Sequence, residues 1–168
     1  MPKALIPLTD DQLRMLGEVV ALHGYISEQL ESSTLILAKD FASEDICDPK
    51  IVEHRQTSAD VKNWKEYFLQ KISGGATAFL ACRLASRMLV NLQDRNDFVH
   101  AVYLETPSEI ANGATGKLAV AWRLGRSQKP RTGRELQAIR NEAERIACEL
   151  RDLNQKVVNW KLGLDSLD

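Results

Sequence analysis

Cysteine is scarce and scattered: Cys47, Cys82 and Cys148 lie far apart, with no CxxC and no Cys/His pairing at metal-ligand spacing. That excludes a disulfide framework and a structural zinc site as organising principles, and it fits a reducing, cytoplasmic setting. Long apolar runs are also missing. No window approaches the roughly 18 apolar residues of a membrane span, and Met1-Pro2-Lys3-Ala4-Leu5-Ile6-Pro7 lacks the apolar centre of a secretory leader. The expectation is a soluble chain with no membrane partner. The net charge is only -1, which excludes coating of nucleic acid through bulk basicity. Serine-nucleophile, Walker, Rossmann, zincin and EF-hand signatures are absent as well, so no metal or cofactor is implied.

What is present fits one globular domain over residues 1–168, because 44% hydrophobic residues over that length suffice for a core. Charge is unevenly spread. From Asp10 to Glu53 acids dominate, with Arg14, Lys39 and Lys50 as their few counterweights. From Lys117 to Arg134 the sign reverses, with Lys117, Arg123, Arg126, Lys129, Arg131 and Arg134 and no acid. Such a run is either a solvated connector or a place for phosphates.

Capping and periodicity predict the helices. Thr9-Asp10-Asp11-Gln12 is a capping box, followed by Leu13, Leu16, Val20, Ile26, Leu30 and Leu37 at helical spacing. Gly17 and Gly24 leave room for a bend. Residues 41–56 read as a loop in which His54 is an exposed histidine. Thr57-Ser58-Ala59-Asp60 caps a second helix with Val61, Trp64, Phe68 and Ile72 on one face, and Ser73-Gly74-Gly75 stops it. A third begins at Ala76. Thr106-Pro107-Ser108 breaks the pattern, and Leu118–Leu124 reads as a short strand pairing near Ile110. Thr132-Gly133-Arg134-Glu135 is the clearest capping box; it launches Leu136, Ile139, Ala143, Ile146, Leu150, Leu153, Val157 and Trp160 without a slip. The expected fold is an all-α bundle of about four to five helices, with a small irregular or β-hairpin insertion near 106–131. The long last seam leads us to expect a homodimer.

The third helix carries the chemistry. Read as one helix from Leu89 to Tyr103, it places Met88, Leu92, Val99 and Val102 on one side with Arg95 among them. An unpaired buried charge costs several kcal/mol, so Arg95 must pair with an acid such as Asp94, Glu28 or Glu31, reach a wet cleft, or face a second copy. Beside it, Gln93, Asn96, His100 and Tyr103 form a polar stripe. His100 can move protons near neutral pH, and Arg95 offers a forked donor set suited to phosphate. His23, on an apolar face, reads as a satisfied or interface histidine rather than a second base.

Arg95-Asn96-Asp97-Phe98-Val99-His100 resembles the signature of the HEPN superfamily: arginine, a polar residue, then histidine after a spacing of four to six. The resemblance implies a helical bundle and a metal-independent endoribonuclease acting on RNA. Arg95, Asn96 and His100 would be its catalytic residues, placed at a dimer cleft. The basic run Lys117, Arg123, Arg126, Lys129, Arg131 and Arg134 would bind RNA, and Tyr103 and Glu28 would support the site. It also implies a toxin or defence role with an antitoxin protein as partner. Antitoxin-controlled members often carry tyrosine two residues after the histidine; here Tyr103 comes three after, so control by tyrosine modification is not carried over. The second reading is a non-catalytic interaction or nucleotide-binding module on the same bundle.

Overall fold

The computed structural model describes residues 8–38, 57–100, 102–105, 119–122 and 133–167. It is an all-α bundle of four helices: α1 (Asp10–Ala38), α2 (Thr57–Lys71), α3 (Gly75–Val99) and α4 (Gly133–Lys161), with a two-stranded pair, β1 (Val102–Glu105) and β2 (Ala119–Trp122), between α3 and α4.

Local chemistry accounts for the helix ends. Thr9 and Gln12 form the reciprocal capping pair, Thr9 N donating to Gln12 Oε1 at 2.9 Å and Gln12 N to Thr9 Oγ1 at 3.2 Å. The α2–α3 reversal rests on Gly74 and Gly75, with φ of 105° and 77°. Both lie in backbone space that a Cβ disfavours, so glycine lets the chain turn within three residues. Gly24 does not interrupt α1, which runs unbroken for 29 residues.

Cross-helix contacts fix the directions. Arg140 meets Glu18, Asn154 Nδ2 donates to Gln29 O at 3.0 Å, and Lys161 Nζ donates to Leu37 O at 3.0 Å, so α1 and α4 run parallel. Asn91 meets both His23 and Ile139, while Arg87 meets Glu142, so α3 runs against both. The short turn at Gly74 then sets α2 parallel to α1.

The main core comprises Ile26, Leu30, Trp64, Phe68, Leu84, Met88, Ile146 and Leu150 with their neighbours. Trp64 and Phe68 pack with ring centroids 5.4 Å apart, and Trp64 Nε1 donates to Ser33 Oγ at 2.8 Å, so the buried indole N–H is satisfied. A smaller cluster, Val19, Phe98, Leu136 and Ile139, closes the end where α3 finishes and α4 starts.

Three expectations change. The buried seam of α1 runs through Val19, Ile26, Leu30 and Leu37, leaving Leu13 and Val20 exposed. Helix α3 stops at Val99, so Tyr103 lies in β1 and the polar stripe does not continue to it; the β-branched Val102 and aromatic Tyr103 favour a strand over another helical turn. Among the described residues the partner of β2 is 102–105, with Tyr103 opposite Ala121, and Ile110 lies outside them. The α4 seam matches its expectation from Leu136 to Val157, all buried within the protomer. The 106–118 and 123–132 portions of the expected insertion, and Thr132 of the capping box, lie outside the described residues.

Candidate functional site

The site begins in the layer between the two core clusters. Asn91, 3% exposed, faces inward from α3; its Nδ2 donates to Ile139 O on α4 at 3.1 Å, so its Oδ1 is turned to His23 on α1 at 2.9 Å. With an amide oxygen as partner, His23 Nε2 must donate, and the neutral ring keeps its proton there. His23 is 6% exposed and lies against Ile26, Val61, Met88, Leu92 and Ile146. Burial pushes its pKa down to about 4; the bond to Asn91 opposes this, and the charge of Arg95 adds to it. His23 is thus a neutral donor at physiological pH. It is satisfied, as the sequence led us to expect.

Arg95 lies one helical turn beyond Asn91 and is half-buried. Nη1 donates to Asn96 Oδ1 at 2.8 Å, while Nε is buried and has no acceptor among the described residues. Its described partner is therefore an amide rather than a carboxylate, which leaves both the positive charge and donor capacity in place. An unpaired buried N–H costs about 1–3 kcal/mol, and such an atom on a helix otherwise well satisfied marks a place that stability alone does not explain.

His100 caps α3. Its backbone N–H bonds to Asn96 O at 3.0 Å, its φ and ψ are -99° and 13°, and its side chain is exposed. Asn96 and His100 are one turn apart and only about 40° apart around the axis, whereas Arg95 and His100 differ by about 140°. By bonding to Asn96, the Arg95 head is carried toward the side of the helix on which His100 stands. On the neighbouring stripe Gln93 Nε2 donates to Asp97 Oδ1 at 2.9 Å.

The remaining expected residues divide. Arg134 is exposed in the first turn of α4, and Glu28 is exposed on α1. Lys117, Arg126, Lys129 and Arg131 lie outside the described residues; of Arg123 and of the Tyr103 side chain nothing is described. Among the described residues no three His, Cys, Asp or Glu side chains are grouped to hold a metal ion, and no helix is long and apolar enough to cross a membrane.

Two features escaped the sequence reading. Asn91 ties α1, α3 and α4 together; its signal was a polar residue sharing the inward arc with Leu84 and Met88. The second is the Arg87 clamp, with Nε to Glu142 Oε1 and Nη1 to Glu149 Oε2, both at 2.6 Å. These two carboxylates hold the Arg87 guanidinium above its ordinary pKa. Glu142 and Glu149 are seven apart on α4 and so share a face. Beside the clamp an open groove of about 410 Å³ runs between α3 and α4, with Val90, Ala138 and Ile139 among its lining. No family model, curated protein or solved structure matches this chain.

Proposed function

We propose that the C-terminal end of α3 is a metal-independent endoribonuclease site of the HEPN type, with Arg95, Asn96 and His100 as its catalytic residues. The reading rests on one observation: among the described residues the Arg95 guanidinium is bonded to Asn96 and not to a carboxylate, with its Nε lacking an acceptor. In the proposed reaction His100 takes the proton from a ribose 2′-hydroxyl and that oxygen forms a bond to the adjacent phosphorus. The bond from phosphorus to the 5′-oxygen breaks, and the leaving oxygen is protonated by solvent. Arg95 holds the charge that grows on the non-bridging oxygens, and Asn96 keeps its head in place. The products are a 2′,3′-cyclic phosphate and a 5′-hydroxyl. Exposed Arg134 and the rest of the basic run supply backbone contacts. Arg95 and His100 differ by about 140° around one helix, so the reading keeps the site at a cleft where two copies of the chain meet and the two side chains can come from both.

The proposed setting is a cytoplasmic toxin or defence effector restrained by an antitoxin protein. Total RNA incubated in EDTA tests the chemistry. Cleavage by the wild-type chain that is lost in His100→Ala supports it; cleavage retained in His100→Ala overturns it. The competing reading, a non-catalytic binding module, is favoured by the inward placement of His23 and Asn91 beside Arg95, and it expects RNA left intact or protected.

A further inference from the structure

None of Arg95, Asn96 and His100 lines the groove between α3 and α4. Its volume, about 410 Å³, lies in the range of ligand clefts, and its walls combine apolar surface with charges of both signs. Val90, 65% exposed, and the exposed Ala138 present aliphatic surface from the two helices, over a buried Ile139. Arg87 and Asp94 flank Val90 on α3. Seven residues apart, they differ by only about 20° around the axis and lie ~10 Å apart along it. That span admits one base edge with a hydrogen bond of about 3 Å at each end. Glu142 and Glu149 take one donor each from Arg87 Nε and Nη1, whereas a guanidinium has five N–H groups. Asp94 also has an interaction within its own chain, and a carboxylate has about four lone-pair positions. The groove thus has a donor toward one end, an acceptor toward the other and an apolar wall between them.

We infer that this groove binds a guanine base. The flat ring lies against Val90 and Ala138; its O6 accepts from Arg87, and its N1–H and 2-amino group donate to Asp94. Only guanine carries the whole pattern. Adenine has an amino group where guanine has O6 and a bare nitrogen where guanine has N1–H. It therefore sets donor against donor at Arg87 and lone pair against carboxylate at Asp94. Cytosine reverses both groups in the same way. Uracil keeps one acceptor and one donor, but its O2 stands in place of the 2-amino group and faces the carboxylate. The base can arrive on a free guanine nucleotide or on a guanosine of single-stranded RNA, whose base edges are open.

This site does not depend on the nuclease reading. Titration calorimetry of the full chain with GMP, AMP, CMP and UMP tests it. GMP is expected to bind about tenfold or more tightly than the other three. IMP, which lacks the 2-amino group, should bind several-fold more weakly than GMP. Asp94→Asn replaces an acceptor with a donor and should remove the preference for GMP over AMP. Ala138→Trp fills the groove from an exposed position; it should abolish GMP binding and leave the circular dichroism spectrum unchanged. A single-stranded tetranucleotide with one guanosine, compared with its adenosine counterpart, separates the two sources. Bound more tightly than GMP, it identifies a strand; bound no more tightly, it identifies the free nucleotide. Absence of binding by both GMP and the tetranucleotide overturns the inference. So does equal binding of GMP and AMP, or GMP binding unmoved by Ala138→Trp. Guanine-selective binding by a chain that leaves RNA intact keeps this inference and removes the nuclease reading, whereas RNA cleavage by a chain indifferent to guanine does the reverse.

Discussion

Acidification should loosen this bundle through one residue. In the unfolded chain His23 titrates near 6.5, whereas in the folded chain burial holds it at about 4. Between these values the unfolded chain binds a proton that the folded chain refuses, so stability is complete above about 6.5 and falls as the pH drops toward 4. The groups packed on His23 give no relief. Asn91 already accepts from Nε2, Val61 and Ile146 are apolar, and Arg95 is a like charge to the imidazolium. The gap amounts to ~3 kcal/mol over the whole window and about 2 kcal/mol by pH 5. That is a large part of the total for a domain of this size. Urea unfolding at pH 7.5, 6 and 5 measures it, with His23→Gln as the comparison, because glutamine can donate to Asn91 Oδ1 and does not titrate. His54 and His100 are present in both chains and cancel. The wild-type chain should lose about 2 kcal/mol more than the variant between pH 7.5 and 5. Parallel pH curves would refute the burial argument for His23.

Other consequences follow from the same layer and from the turn above it. Asn91→Ala strands the His23 Nε2–H and removes the second donor to the Ile139 carbonyl; it should destabilise by roughly 1–3 kcal/mol at pH 7.5 in a urea titration, and a loss below about 0.5 kcal/mol would mean the bonds are dispensable. Gly74→Ala places a Cβ at φ 105° with open space around it, so backbone strain alone should lower stability by about 1–2 kcal/mol; thermal unfolding checks this. Arg95→Met removes the unpaired buried Nε and the positive charge beside His23. It should leave stability equal or raise it by about 1 kcal/mol, and the His23 pKa, followed by NMR, should move up.

Much of the bundle was legible because its helices obey simple periodicity. The α4 seam from Leu136 to Val157 is buried residue for residue, and Thr9 with Gln12 starts α1 as the capping box requires. Where one helix had two apolar stripes to choose from, sequence alone misjudged the face: Val19 and Val20 are adjacent, and contact with Phe98 and Leu136 decided for Val19. The end of α3 was lost for a related reason. Pairing with Ala119–Trp122, a contact distant in sequence, turns Val102–Glu105 into a strand. At the site, Arg95 and Asn96 stood out because a charge on an apolar seam is conspicuous. Asn91 did not, since its role exists only once His23 and Ile139 arrive from two other helices. The apolar face around His23 points to a satisfied or interface histidine, but its partner Asn91 is set by the packing of α1 against α3.

In the proposed nuclease Arg95 is held under-satisfied for the sake of phosphate rather than for the fold. The most direct measurement compares wild-type, Arg95→Met and His100→Ala chains on a defined RNA in EDTA, with urea unfolding of each alongside. The expected result is cleavage to 2′,3′-cyclic phosphate ends by the wild type, at least a hundredfold loss in both variants, and no loss of stability in Arg95→Met. Cleavage unchanged in Arg95→Met, or Arg95→Met unfolding several kcal/mol more easily than wild type, would contradict it.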